Sequence, residues 1–250
     1  MSDSSANEDS WARYGRVQLD RGYLPPVPER ITWGPWPGVG PGAEVLGEIR
    51  GKRLLDIGCG PGHHAVHLAR AHGAQVDAVD LSPTQHERAL RRSTPGVRFL
   101  HADVVDHLRN RNRNGNAKGK GNQTPYDAAY AIGTLGCVDP HHVLPALRDH
   151  LADGAAFVFS ALHTNLDGAG PRSTVAPRPE MIRLRDTPPI PLQMWVLTPQ
   201  LWEDLLTDTG FLVEAVDLLH APTATGSPVI HQLIRARRHF SLSSHRSCRT

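Results

Sequence analysis

The segment LLDIGCGPG, residues 54–62, places an acid, Asp56, near the end of an apolar run and then Gly58, Gly60 and Gly62 at alternate positions ahead of a helical stretch. Glycine lets the chain turn sharply and lets a ligand lie against the backbone, and the helix that follows offers free N–H groups to a carboxylate or phosphate. Such a turn suits a small molecule held at the carboxyl edge of a parallel sheet, where the strand order reverses. Two further acids take similar places. Asp80 closes QVDAVD at a distance from the glycines close to that of the acid that accepts ribose hydroxyls in nucleoside-binding folds, and Asp103 follows VRFLHA. One strand-end acid is ordinarily just solvated, but three in this order, joined to the glycines, point to a single ligand. A dinucleotide fingerprint starting at Gly58 requires glycine at position 63, where His63 stands, so a nicotinamide cofactor is disfavoured.

Histidine is the side chain best suited to exchange protons near neutral pH. Of fifteen, His141 and His142 follow Asp139-Pro140 beyond the fourth apolar run and His163 follows the fifth, at the same edge as the glycines. These are the candidate bases. His63, His64 and His67 fall on the helix after the turn and read as structural, with His63 near the ligand.

The elements that must position these groups alternate along the chain. RLLDI (53–57), QVDAVD (75–80), VRFLHA (97–102), YDAAYAI (126–132), AAFVFSAL (155–162), FLVEAVDLL (211–219) and PVIHQLIRA (228–236) read as strands, with helical stretches near 62–72, 83–92, 139–151 and 199–209. That alternation predicts an α/β fold: a doubly wound, mostly parallel seven-stranded sheet with an antiparallel edge hairpin, plus an N-terminal cap and a substrate loop. Residues 1–10 are expected to be disordered for want of apolar content, and 11–50 to form an irregular, proline-rich cap in which Trp33 and Trp36 cover something. The domain proper runs over 51–236. Within it NRNRNGNAKGKGNQ (110–123), without a bulky apolar residue, reads as a mobile insertion, and 163–193 as a loop or lid over the substrate. Residues 237–250 read as a flexible tail.

At 250 residues the chain suits one domain rather than two. It lacks the roughly 20-residue apolar run of a membrane helix, and its acidic, polar start does not resemble a secretory signal, which points to the cytoplasm. Cys59, Cys137 and Cys248 are odd in number and far apart, so neither a disulfide framework nor a metal site is expected. A net charge of +2 is too small to imply nucleic acid by itself.

Asp56 followed by Gly58, Gly60 and Gly62 resembles motif I of the class I, Rossmann-like S-adenosylmethionine (SAM) dependent methyltransferases, and the later acids follow in the family's order. The resemblance implies SAM as cofactor and S-adenosylhomocysteine (SAH) as product. It implies that Asp56 faces the methionyl ammonium, directly or through water, beside the backbone of Cys59, Ile132 and Gly133. It further places Asp80 on the ribose, Leu81 on the adenine face, and Asp103 with Val104 at the adenine amino group. Catalysis of methyl transfer needs alignment, dryness and sometimes a base. Tyr14 in the cap joins His141, His142 and His163 as a candidate catalytic group, and Trp33, Trp36 and Trp195 are candidates for an aromatic substrate wall. Arg172, Arg178, Arg183 and Arg185 in the 163–193 loop suggest an acidic acceptor, unless Asp167, Glu180 and Asp186 neutralise them. The expected function is methylation of a small molecule of specialised metabolism, by a monomer or homodimer. The alternatives are an RNA methyltransferase, motivated by the basic 110–123 segment and tail but lacking interleaved aromatics for base stacking, and a non-catalytic SAM-binding protein.

Overall fold

The computed structural model describes residues 3–117 and 124–240. Nine strands follow in chain order: β1 (Arg53–Ile57), β2 (Gln75–Asp80), β3 (Val97–His101), β4 (Tyr126–Ile132), β5 (Leu151–Thr164), β6 (Arg178–Ile182), β7 (Ile190–Met194), β8 (Phe211–His220) and β9 (Ile230–Arg238). Six α-helices lie among them: α1 (Asp3–Asp20), α2 (His63–His72), α3 (Pro83–Leu90), α4 (Val104–Ala117), α5 (Pro140–Arg148) and α6 (Pro199–Thr209). Seven strands build one sheet in the order β3-β2-β1-β4-β5-β9-β8. The first five pair in parallel, and β9 runs antiparallel to both β5 and β8. After β3 the chain returns to the other side of β1, so the strand order reverses between β1 and β4, the place where open α/β sheets bind ligands.

Strands buried on both faces need apolar residues at successive positions. Leu54 and Leu55 of β1 point into different cores: Leu55 packs with Phe157, Phe159, Trp202 and the α5 residues Val143, Leu144 and Leu147, whereas Leu54 packs with Ala65 and Leu68 of α2. No helix among the described residues is long and apolar enough to cross a membrane.

Five expectations about the periphery require correction. Residues 1–10 are not disordered as far as they are described, because α1 begins at Asp3 and turns Asn7, Ser10, Tyr14, Gly15 and Gln18 to the protein at helical spacing. The segment 110–123 is helical up to Ala117, and the rest of that insertion lies outside the described residues. Asp103 caps α4 through Oδ1, which accepts from the Val105 and Asp106 N–H groups at 2.8 and 3.1 Å. Arg111 is buried, donates to Tyr126 Oη at 2.9 Å and to the Thr124 carbonyl at 3.0 Å, and lies 4.4 Å from the Tyr126 ring centroid. The 163–193 stretch is not a plain loop, since β6 and β7 pair within it as an antiparallel ribbon. Of the expected tail, 237 and 238 extend β9, and 241–250 lie outside the described residues.

The fifth correction concerns Trp33. It is fully buried, packs edge-on to Tyr130 at 6.5 Å, and donates its indole N–H to the Gly42 carbonyl at 3.3 Å. The aromatic side chain covers the sheet itself, and a substrate cannot reach it. Replacing a buried Trp by Ala costs about 3–5 kcal/mol. Trp33→Ala is expected to lower the urea midpoint by a corresponding amount, and a change under about 1 kcal/mol would return Trp33 to the surface.

Candidate active site

The turn after β1 is stitched to the end of β2. Gly58 and Cys59 donate their N–H groups to the Val79 carbonyl at 2.8 and 3.0 Å. Asp80 completes the seam: Oδ2 accepts from the Gly60 N–H at 2.7 Å and Oδ1 from the Ser82 N–H at 2.9 Å. Gly58, Gly60 and Gly62 all have left-handed φ values, +68°, +55° and +72°. At Gly62 a Cβ would lie 2.3 Å from a Phe99 ring carbon, so backbone angle and space both demand glycine there.

Three titratable groups are buried under this turn. Asp56, 3% exposed, accepts from the Tyr130 hydroxyl at 2.8 Å. Burial pushes its carboxyl up to about 7; the Tyr130 bond opposes the shift and the neighbouring Asp80 charge adds to it. Burial likewise raises Asp80 to about 6 despite its two N–H donors. The Cys59 thiol donates to the Gly60 carbonyl at 3.6 Å and is held protonated, chiefly by burial.

In front of the turn lies a cavity of about 400 Å³. Gly58, Leu81, Asp103, Val104, Thr134, Cys137, Val138, Asp139, His142 and Trp195 are among the residues that line it. The structure thus brings Gly58, Leu81, Asp103, Val104, His142 and Trp195 to one space. Asp56, Cys59, Gly60, Gly62 and Asp80 form the turn beside it. Ile132 and Gly133 end the adjoining β4, where the Gly133 N–H reaches the Ser160 carbonyl and hydroxyl at 3.1 and 3.0 Å. Of the candidate bases only His142 lines this cavity; its side chain is 63% exposed, and its Nε2 lies 3.8 Å from Asp139 Oδ2. His141 is exposed and does not line it. His163 is half-buried with Nδ1 2.9 Å from Thr164 Oγ1, and burial, with His220 nearby, lowers its pKa. Trp36 packs edge-on to His231 at 5.8 Å, away from the cavity. Sequence reasoning missed Asp106 and Arg109, which line the same wall. The signal was present as the three-residue spacing Asp103, Asp106, Arg109, which puts all three on neighbouring turns of a helix face.

Helix α1 crosses this edge of the sheet. The Asn7 side chain, 2% exposed, donates to the Cys137 and Gln193 carbonyls at 3.0 and 2.8 Å and accepts from the Gln193 N–H at 2.9 Å. Farther along, the Thr84 hydroxyl donates to the Ala12 carbonyl at 2.8 Å, and a Cβ on Gly15 would lie 2.1 Å from Thr84 Oγ1. Tyr14 packs against Trp11, ring centroids 5.4 Å apart, and does not line the cavity. The loop arginines are largely neutralised, Arg178 by Glu180 at 2.6 Å, Arg183 by Asp167 at 2.8 Å and Arg185 by Asp186 at 3.7 Å.

A family-wide sequence profile described as a methyltransferase domain matches residues 42–216, well over half of the chain. The chain belongs to this methyltransferase family. It is similar to O-methyltransferase rstn1 of Aspergillus nomiae, 29% identical over 182 residues that make up 70% of this chain and 71% of that one. It also resembles the trans-aconitate 2-methyltransferase of Mycobacterium tuberculosis, 27% identical over 74% of this chain and 66% of that one. A SAM-dependent methyltransferase of Methanosarcina mazei shares the fold, with TM-score 0.58 and 18% identity over 79% of this chain and 96% of that one. As a member of that family it is a SAM-dependent methyltransferase. The chain has features that suit that cofactor: an open glycine turn, buried acids to meet a cation and a diol, and a cavity beside Asp103 large enough for a nucleoside.

The raised carboxyls set a pH dependence. In the folded, ligand-free methyltransferase Asp56 and Asp80 hold protons more tightly than they do unfolded. The stability they add is full below the unfolded range near 4 and is lost as pH rises through about 6 and about 7. Asp56→Asn is therefore expected to lose less stability than the parent between pH 5 and pH 8 in urea melts. His63, His64 and His231, held neutral by burial, titrate alike in both proteins and cancel in the difference. Parallel curves for the two proteins would contradict the burial of Asp56.

Proposed function

We propose that this enzyme methylates a small molecule of specialised metabolism inside a site closed by α1. The observation that carries the reading is the 400 Å³ cavity, in which Leu81, Asp103 and Val104 share walls with Trp195 and His142. In this reading Asp80 exchanges its two backbone donors for the ribose hydroxyls, Asp103 receives the adenine amino group, and Leu81 and Val104 pack on the ring. Asp56, with the backbone from Cys59 to Gly62 and at Ile132 and Gly133, faces the methionyl end. The activities named for the Aspergillus and mycobacterial relatives support small acceptors.

SAM supplies a methyl group whose bond to a cationic sulfur breaks with its electron pair staying on sulfur. The protein's part is to align the acceptor's lone pair behind that methyl, to keep water out, and to let the acceptor's proton leave. His142, at the cavity mouth beside Asp139, is the candidate to take it. Trp195 offers an apolar wall, and α1 excludes water through Asn7 and its close contact on α3.

Asp80→Ala is expected to weaken SAH binding by about 10- to 100-fold, the worth of charge-assisted hydrogen bonds, with the fold retained by circular dichroism. Calorimetric titration checks this; an unchanged dissociation constant removes Asp80 from the ribose, and NAD binding in place of SAH overturns the cofactor assignment. For α1, SAH is expected to slow amide exchange over residues 7–18 by about an order of magnitude. Gly15→Val, which pushes the helix off Thr84, abolishes that protection, and equal exchange in all states would show that α1 takes no part in closure.

A further inference from the structure

A second cavity, of about 240 Å³, opens between the β6–β7 ribbon and the end of β5. Its floor is apolar, made by Leu162, Ile182, Leu192 and Met194. Leu192 and Met194 belong with Val196 to a small core of their own, against which Trp11, Cys137 and Leu162 also pack. Cys137 at the same time lines the larger cavity, as does Trp195, the next residue after Met194. Cys137 and Met194 thus belong to the packing between the two spaces, roofed by α1, whose Asn7 grips the carbonyls of Cys137 and Gln193. The tip of β4 is tied to the same strand: Gly133 bonds to Ser160, and Leu162 is two residues farther along β5. Methionine is unbranched and polarizable and repacks at low cost, which makes Met194 the part of this packing best able to give way.

The charges around the second cavity are already matched. Glu180 is held by Arg178 at 2.6 Å and by Asn165 at 3.0 Å, and Arg183 reaches Asp167 at 2.8 Å. A carboxylate entering here would have to displace a partner from Arg178 or Arg183, whereas an apolar body meets the floor directly. The space holds about eight water volumes at roughly 30 Å³ each, the size of one or two fused rings.

We propose that this second cavity seats the body of the methyl acceptor, an uncharged, ring-sized apolar molecule whose hydroxyl reaches past Met194 and Cys137 toward the methyl donor. The assignment rests on the glycine turn and the first cavity being the SAM site. The hydroxyl oxygen forms the new bond to the methyl carbon as the carbon–sulfur bond breaks with its pair on sulfur, and the hydroxyl proton passes to His142 on the wall of the first cavity. The products are a methyl ether and SAH.

The chain has three methionines, and two of them, Met181 and Met194, line this cavity. With the methionine methyls labelled with carbon-13 and the protein saturated with SAH, 2-naphthol is expected to shift both resonances saturably, measured against an added chemical-shift standard. Tricarballylate at the same concentrations is expected to leave them unmoved. Leu192→Trp or, should that variant fail to fold, Ile182→Trp fills the cavity and removes the naphthol response while SAH affinity stays within about twofold of the parent. Resonances that ignore naphthol up to its solubility limit, or that respond to tricarballylate instead, overturn the proposal. SAH binding is measured first by calorimetry, so a failure there falls on the cofactor site and is not mistaken for a failure of the acceptor cavity.

Discussion

The binding edge of the sheet is organised around one buried carboxylate. Asp80 ends β2 and holds the Gly60 and Ser82 N–H groups, so it fixes the glycine turn of one strand-helix unit to the first turn of the next. A carboxylate with so little water around it is tolerated because charge-assisted bonds from backbone donors offset part of its desolvation. The same bonds leave it ready to exchange those donors for a diol. Position and chemistry thus come from one set of contacts: the seam that closes the sheet edge between β1 and β2 is also where the proposed nucleoside end of the site lies.

That edge is open by construction, because parallel strands end in loops, and a displacement at a sulfonium needs shelter. The protein supplies it with polar contacts beside the apolar packing of Trp11 on the core of Leu192, Met194 and Val196. Among the described side chains of α1, Asn7, Ser10 and Gln18 are buried and polar, and Gly15 allows close approach to Thr84. A helix seated by hydrogen bonds to Cys137 and Gln193 can lift and return without leaving a large apolar face in water. The β6–β7 ribbon works on the same footing, with Glu180, Arg178 and Asn165 satisfying one another beneath it.

What was legible in the sequence is what local pattern determines. The sheet, the three glycines, Asp80 and Asp103 all lie where strand runs and strand-to-helix turns put them, since each depends on neighbours within a few residues. The cap was misread because its partners are remote: Asn7 bonds to residues 130 and 186 positions away, and its buried face is polar, so hydropathy carries no trace of it. Arg111 sits in a run without apolar residues, yet Tyr126 and Thr124 bury it. Trp33 and Trp195 are the same residue type, one inside the core and one on a cavity wall, and only packing separates them. The histidines divide likewise, with His142 at the cavity and His141 beside it turned away. The loop arginines were legible as charge but not as pairs, because Arg183 and Asp167 lie sixteen residues apart across a ribbon the sequence does not announce.

A crystal structure of the protein with SAH tests the central claim most directly. The expected result is ribose hydroxyls on Asp80, adenine between Leu81 and Val104 beside Asp103, and the thioether sulfur over the end of β4 beneath α1. SAH bound elsewhere with the glycine turn empty, or SAH in the turn with its sulfur open to solvent on the side α1 should cover, would contradict it.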